Sequence, residues 1–203
     1  MKAERGQSLV ETLWVLPLVM VIGLGGIQLL WLFLCFQLVQ STAMHVVRQA
    51  SLDGFNRLRT FEVVEKRMRP MPGRVLHVPL VKRVHPSNTQ IRRYGTLVTD
   101  EGRRYYQLDT DFALARLDAM PFDERQLWLR ARTLQIELVW CQPLQVPMVA
   151  DMIGYFLRYS LDINQQYCNL QRVGRAPMMA VKGKAAAQLQ APLRVSMTEL
   201  EQD

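Results

Sequence analysis

From Thr12 to Met44 the chain carries no Asp, Glu, Lys, Arg or His, and no other stretch constrains the fold as strongly. A helix needs about 20 consecutive apolar residues to cross bilayer hydrocarbon. The run is long enough to span and to continue beyond the membrane. A chain of 203 residues then has room for one modest domain. Secretory signal cores run about 7 to 15 apolar residues, well short of this one. Ser41-Thr42-Ala43 supplies small residues before a possible cut at Met44, but the length favours a segment that stays in the protein. Cys35 follows Phe33-Leu34 rather than a small residue, which speaks against a lipoprotein signal.

The run is preceded by Arg5-Gly6-Gln7-Ser8-Leu9-Val10-Glu11. An ionisable group in a membrane segment is costly, less so near the interface, so Glu11 either marks the edge of the span or has a positive partner. A cut after Gly6 would supply that partner, because Gln7 would then carry an α-ammonium four residues from Glu11. These residues resemble the prepilin processing site of type IV pilins and pseudopilins. The continuation Glu11-Thr12-Leu13-Trp14-Val15-Leu16-Pro17-Leu18-Val19 resembles the tight-adherence (Tad, or Flp) branch and its TadE-like minor pseudopilins. Gln7 departs from the Phe or other apolar residue that many type IV pilins carry there. The resemblance implies cleavage after Gly6 by a prepilin peptidase, and a docking role for Glu11 within a helical fibre. A weaker likeness to TadE-type C-terminal domains covers Glu137 to Leu144, with Val146-Pro147 following.

Pro17, Gly23, Gly25 and Gly26 interrupt the apolar run. They are either ordinary membrane-helix composition or the loosened part of a stem that bends when packed. Beyond the span, residues 41–69 read as an amphipathic stem with Val47, Ala50, Leu58, Phe61, Val64 and Met68 on one face and a break at Asp53-Gly54. Pro70 and Pro72-Gly73 end it. Val75–Val84, with Pro79 inside, reads as an edge strand, and Pro86-Ser87-Asn88 as a turn. Thr96–Thr99 and Arg104–Leu108 bracket Asp100-Glu101-Gly102 as a hairpin. A short helix is expected over Asp109–Met120, closed by Pro121. Alternation marks Thr133–Trp140 as the clearest strand, with Leu134, Ile136, Leu138 and Trp140 facing one way. Val149–Leu161 follows as a helix with Ile153, Phe156 and Leu157 on an apolar face. Pro177–Val181 reads as a last strand, and 184–203 as a flexible tail.

Of three cysteines, Cys35 lies within the apolar run, where it serves as a small apolar residue. Cys141 and Cys168 are candidates for a disulfide in an oxidising compartment, and are otherwise two buried thiols. His45, His77 and His85 have no zinc-site spacing, and neither a Walker loop nor a nucleophile elbow occurs. The pairs Asp109/Asp111 and Asp123/Glu124 are ordinary surface carboxylates. The sequence thus announces no enzyme and calls for no cofactor or metal.

Charge is uneven. Residues 57–104 hold twelve Lys/Arg against four Asp/Glu, a net of +8, while the whole chain carries +7. This region is either a solvated basic face or a juxtamembrane surface drawn to anionic lipid; no nucleic-acid-reading motif accompanies it. The expected architecture is α+β: a leader over 1–6, a membrane-spanning helix over 7–40, the stem over 41–69, an extracytoplasmic domain over 70–183, and the tail. On the family resemblance the chain is a single-pass protein of the bacterial inner membrane, with its N-terminus cytoplasmic and its domain periplasmic. Its expected partners are the prepilin peptidase, other pilin-like subunits and the pilus assembly platform. The rival is an uncut signal-anchored binding or scaffold protein of the envelope, in which Gly6 and Glu11 are coincidental.

Overall fold

The computed structural model describes residues 7–71, 78–100, 102–110, 117–118, 120–171 and 176–200, and their side chains except at 7–12, 103 and 199. It is a mixed α/β protein with one long apolar N-terminal helix and two small sheets. Helix α1, Gln7–Asp53, runs 47 residues with Pro17 inside it. It stops where Gly54 and Phe55 turn left-handed, at φ 70° and 61°. A Cβ on Gly54 would sit 2.8 Å from the Pro192 carbonyl oxygen, so space and conformation both demand glycine there. Helix α2, Arg57–Met68, begins at Asn56, whose side chain accepts from the Leu58 and Arg59 amides. The predicted break at Asp53-Gly54 falls between these helices.

The stripe that α2 buries is Thr60, Val64 and Met68, at spacings of four. Leu58 and Phe61, expected on the covered face, are exposed. Packing displaced the stripe: Thr42 of α1 donates its hydroxyl to Met68 Sδ at 3.5 Å, and the helix presents the face that meets it.

Strand β1, Leu80–His85, starts just after Pro79 and lies at the edge of a three-stranded sheet; residues 75–77 of the predicted strand lie outside the described residues. Ser87, read as a turn, opens helix α3, Asn88–Tyr94, through a capping box with Gln90. The hairpin forms from β2, Thr96–Asp100, and β3, Arg103–Leu108, about Gly102 at φ 78°. Most of the helix expected over 109–120 lies outside the described residues. Past Pro121 comes helix α4, Phe122–Ala131, with Asp123 and Glu124 in its first turn. Strand β4, Thr133–Pro143, pairs antiparallel with β1, Leu80 opposite Val139 and Arg83 opposite Ile136. Leu134, Ile136, Leu138 and Trp140 are buried, and from Leu138 onward every residue of β4 is, as befits the central strand. Helices α5, Val149–Arg158, and α6, Ile163–Leu170, precede β5, Met178–Gln188. Strand β6, Leu193–Ser196, pairs antiparallel with β3 and leads into α7, Met197–Leu200.

Two readings are corrected. Residues 184–200 are not a flexible tail: β5 runs to Gln188, β6 completes the second sheet, and Ala185, Leu189, Leu193, Val195 and Leu200 are buried. The Ala-rich patch that resembled a tail is instead part of β5, which approaches α1 closely just upstream of it, at Gly183. A Cβ on Gly183 would lie 2.9 Å from the Val39 carbonyl oxygen and 3.2 Å from Ala43 Cβ. In α5, Phe156 is 71% exposed; the buried side consists of Val149, Ala150 and Gly154.

The described residues fall into two compact units. One is built on 7–37 and 140–181, the other on 38–70, 78–139 and 182–200. In the second, Val39, Ala43, Val46, Val47 and Ala50 form one buried stripe of α1, and Leu134, Ile136 and Leu138 are fully covered. Gly183→Val tests the close approach of β5 to α1. Overpacking of this kind costs about 1 to 3 kcal/mol, so the variant should melt well below the parent in detergent. Gly102→Val, with open space around it, tests the contrast: its cost should come only from its positive φ.

Candidate membrane-anchor site

Gly6 lies outside the described residues; Gln7 and Glu11 are both in the first turns of α1. Four residues of helix place them about 6 Å apart along the axis. From Leu13 to Ile27 no side chain of α1 is buried. Within Leu13–Asp53 the most apolar window has a mean hydropathy of 2.3, with 11% of it buried. This helix is long and apolar enough to cross a membrane. Gly23, Gly25 and Gly26 lie in its exposed part, and a Cβ on any of them would meet nothing within 4 Å. A second helix would find the close-approach surface there open.

At Gln28 the surroundings change. Gln28 is fully buried, and its Oε1 accepts from the Val146 amide at 3.1 Å. Two turns on, buried Cys35 donates its thiol to Gln142 Oε1 at 3.3 Å. The same oxygen accepts from Trp140 Nε1 at 3.2 Å, and Gln142 Nε2 donates to the Pro143 carbonyl at 3.4 Å. Both ends of the Gln142 amide are thus partnered, whereas Gln28 Nε2 is buried without a hydrogen-bond partner among the described residues, which costs about 1 to 3 kcal/mol. The predicted span 7–40 therefore exceeds the stretch that is exposed all round: Gln28, Cys35 and Val39 are already buried.

Cys141 and Cys168 are joined by a disulfide, S–S 2.03 Å, that ties the end of β4 to α6. Alongside it Gln165 donates to the Met178 carbonyl at 2.7 Å and accepts from the Ala180 amide at 2.9 Å, holding α6 to the start of β5. The Leu144 amide reaches the Pro177 carbonyl at 2.9 Å. Neutral glutamines do most of this joining, and the sequence reading did not single them out. Gln28, an amide inside an apolar run, was the available signal.

In the second unit the basic region is partly neutralised by its own surroundings. Arg59 lies 3.3 Å from Asp53, Lys66 2.7 Å from Glu62, and Arg93 2.9 Å from Glu124. Arg83 donates to Asn88 Oδ1 at 2.7 Å, and Arg92 to the Leu200 carbonyl at 3.2 Å. Arg57, Lys82, Arg83 and Arg194 line an open cavity of about 600 Å³, together with Phe55, Phe61 and Val78. No group of three or more His, Cys, Asp or Glu among the described residues is arranged to hold a metal ion.

The Gln49 side-chain amide, and after it Arg59, holds the Asp53 carboxyl below its ordinary range. Lys66 does the same for Glu62. A carboxyl depressed on folding stabilises the folded state above its unfolded pKa, and that contribution is lost as pH falls through the lower folded value. Asp53→Asn should therefore reduce the loss of thermal stability between about pH 6 and pH 3, by a small amount because the group is solvated. Replacing Cys141 and Cys168 together by Ser opens a loop with a sequence separation of 27. In the chain-entropy model this costs about 3 to 4 kcal/mol, visible as a lower melting temperature that reductant no longer changes. Compared with family models, curated proteins and solved structures, the chain matches none.

Proposed function

We propose that this chain is a membrane-anchored minor pseudopilin of the TadE-like type, a structural or assembly-priming subunit of a tight-adherence pilus. The reading rests on the prepilin-like residues Gly6 and Glu11 in the sequence, ahead of an apolar helical stretch with no buried side chain from Leu13 to Ile27. In this reading a prepilin peptidase cuts after Gly6, in the cytoplasmic leaflet of the bacterial inner membrane, and releases the α-ammonium of Gln7. That charge stands one helical turn from Glu11, or faces the Glu11 of a neighbouring subunit. Bringing two such helices together neutralises a carboxylate that hydrocarbon would otherwise disfavour, so the pairing is favoured most where water is absent. The open surface at Gly23, Gly25 and Gly26 is where a neighbouring pilin-like helix would approach.

The domain would then sit in the periplasm, an oxidising compartment in which a disulfide such as Cys141–Cys168 persists. The basic stretch 57–104 would add attraction to anionic lipid, at about 1 kcal/mol for each well-placed charge. The subunit acts by packing, and no reaction is assigned to it.

The mass of the N-terminal peptide of membrane-purified protein tests the reading. A start at Gln7 that needs the peptidase and disappears in Gly6→Ala is the expected result. Glu11→Ala should then leave cleavage intact while depleting the subunit from assembled fibres. An intact Met1 with and without the peptidase would instead mark an uncut, signal-anchored envelope protein. A start at Met44 would mean that the apolar run is a secretory signal.

A further inference from the structure

Helix α5 is apolar on two sides, and only one of them is used. Val149, Ala150 and Gly154 are buried, and a Cβ on Gly154 would come within 2.5 Å of Pro177 Cβ. The helix is pressed against Pro177 and cannot roll to hide its other side. That side carries Met148, Met152, Tyr155, Phe156 and Tyr159, each between 55% and 72% exposed. At about 100° per residue Met152, Tyr155 and Phe156 fall within one stripe roughly 100° wide, and Met148 and Tyr159 flank it as the caps of the helix. The three rings touch edge to face, Tyr155 lying 5.8 Å from Phe156 and 5.5 Å from Tyr159. Leu161 and Ile163 continue the exposed apolar surface into the start of α6.

The level of this stripe is set by α1. Val146, which accepts from the Ala150 amide at 2.8 Å as α5 begins, donates its own amide to Gln28. Residues 7–27 of α1 are about 31 Å long, the thickness of one hydrocarbon core. If α1 crosses the bilayer over that stretch, Gln28 stands at the far boundary and α5 begins beside it. Tyrosines with an apolar stripe are the chemistry of a helix lying in the headgroup region, ring bodies in the acyl layer and hydroxyls in water.

We propose that the Met148, Met152, Tyr155, Phe156 and Tyr159 stripe of α5 rests in the headgroup–acyl boundary of the membrane that α1 crosses. It forms a second, monotopic contact at the Gln28 end of the span. The proposal rests on the membrane-anchor reading of α1 and needs no part of the pilus assignment. The contact would restrain the 140–181 unit at the bilayer surface before the subunit joins any assembly.

The test uses the full chain, Cys35→Ser, at one copy per nanodisc of phosphatidylethanolamine and phosphatidylglycerol. Single cysteines at Phe156→Cys on the apolar side of α5, Asp151→Cys on the polar side of the same helix and Val19→Cys in α1, all exposed sites, carry an environment-sensitive fluorophore. Lipids bearing a nitroxide near the headgroup should quench the label at 156 severalfold more than at 151. Lipids with a deep nitroxide should quench the label at 19. A label at 19 in lipid with 156 no better quenched than 151 overturns the proposal and leaves the anchor standing. No quenching at 19 removes the anchor reading and the proposal with it. Shielding of 156 only at two copies per disc would assign the stripe to a second subunit, and also overturns the proposal.

Discussion

The bond between Gln28 Oε1 and the Val146 amide marks the point on which the first unit depends. From Leu13 to Ile27 no side chain of α1 is buried; after Gln28 the helix is also a wall of folded protein. A carbonyl oxygen buried among apolar side chains must find a donor or cost stability; Gln28 Oε1 finds one in the Val146 amide, while its Nε2 is buried without a partner among the described residues. Gln142 repeats the device two turns further along, collecting Cys35 and Trp140 on one oxygen. These neutral contacts join an apolar helix to a polar chain without burying a charge.

Around them the 140–181 segment is held at several unrelated points. The Cys141–Cys168 disulfide restrains α6 covalently, Gln165 bonds it to β5, and Pro177 is wedged against Gly154. With α5 fixed in this way, its apolar aromatic side has no place inside the unit. An exposed apolar stripe on a rigidly held helix differs from scattered surface leucines, because it does not disappear by rotamer changes or by rolling.

In the second unit small side chains do comparable work. Gly183 brings β5 against Val39 and Ala43 of α1, and Gly54 passes beneath the Pro192 carbonyl. Closeness of this kind requires residues that look uninformative in isolation. Arg59 and Lys66 of α2 and Arg93 of α3 each meet a carboxylate, and Arg92 of α3 meets the Leu200 carbonyl.

By itself the sequence determined the long apolar helix, its break at Gly54, the hairpin about Gly102 and the alternating strand at Leu134–Trp140. Each of these is written in local periodicity or in a turn residue with a specific φ, and needs no distant partner to be legible. The prepilin-like residues at Gly6 and Glu11 are likewise a sequence signal, and no contact among the described side chains bears on them. Only the tertiary structure decided that 184–200 is sheet and helix, that α2 buries Thr60 rather than Leu58, and that α5 leaves Phe156 in the open. The physical reason is shared by all three. Composition and period state which side chains are apolar, whereas the surface each one covers is set by partners far away in sequence, such as Met68 for Thr42, Val39 for Gly183 and Pro177 for Gly154.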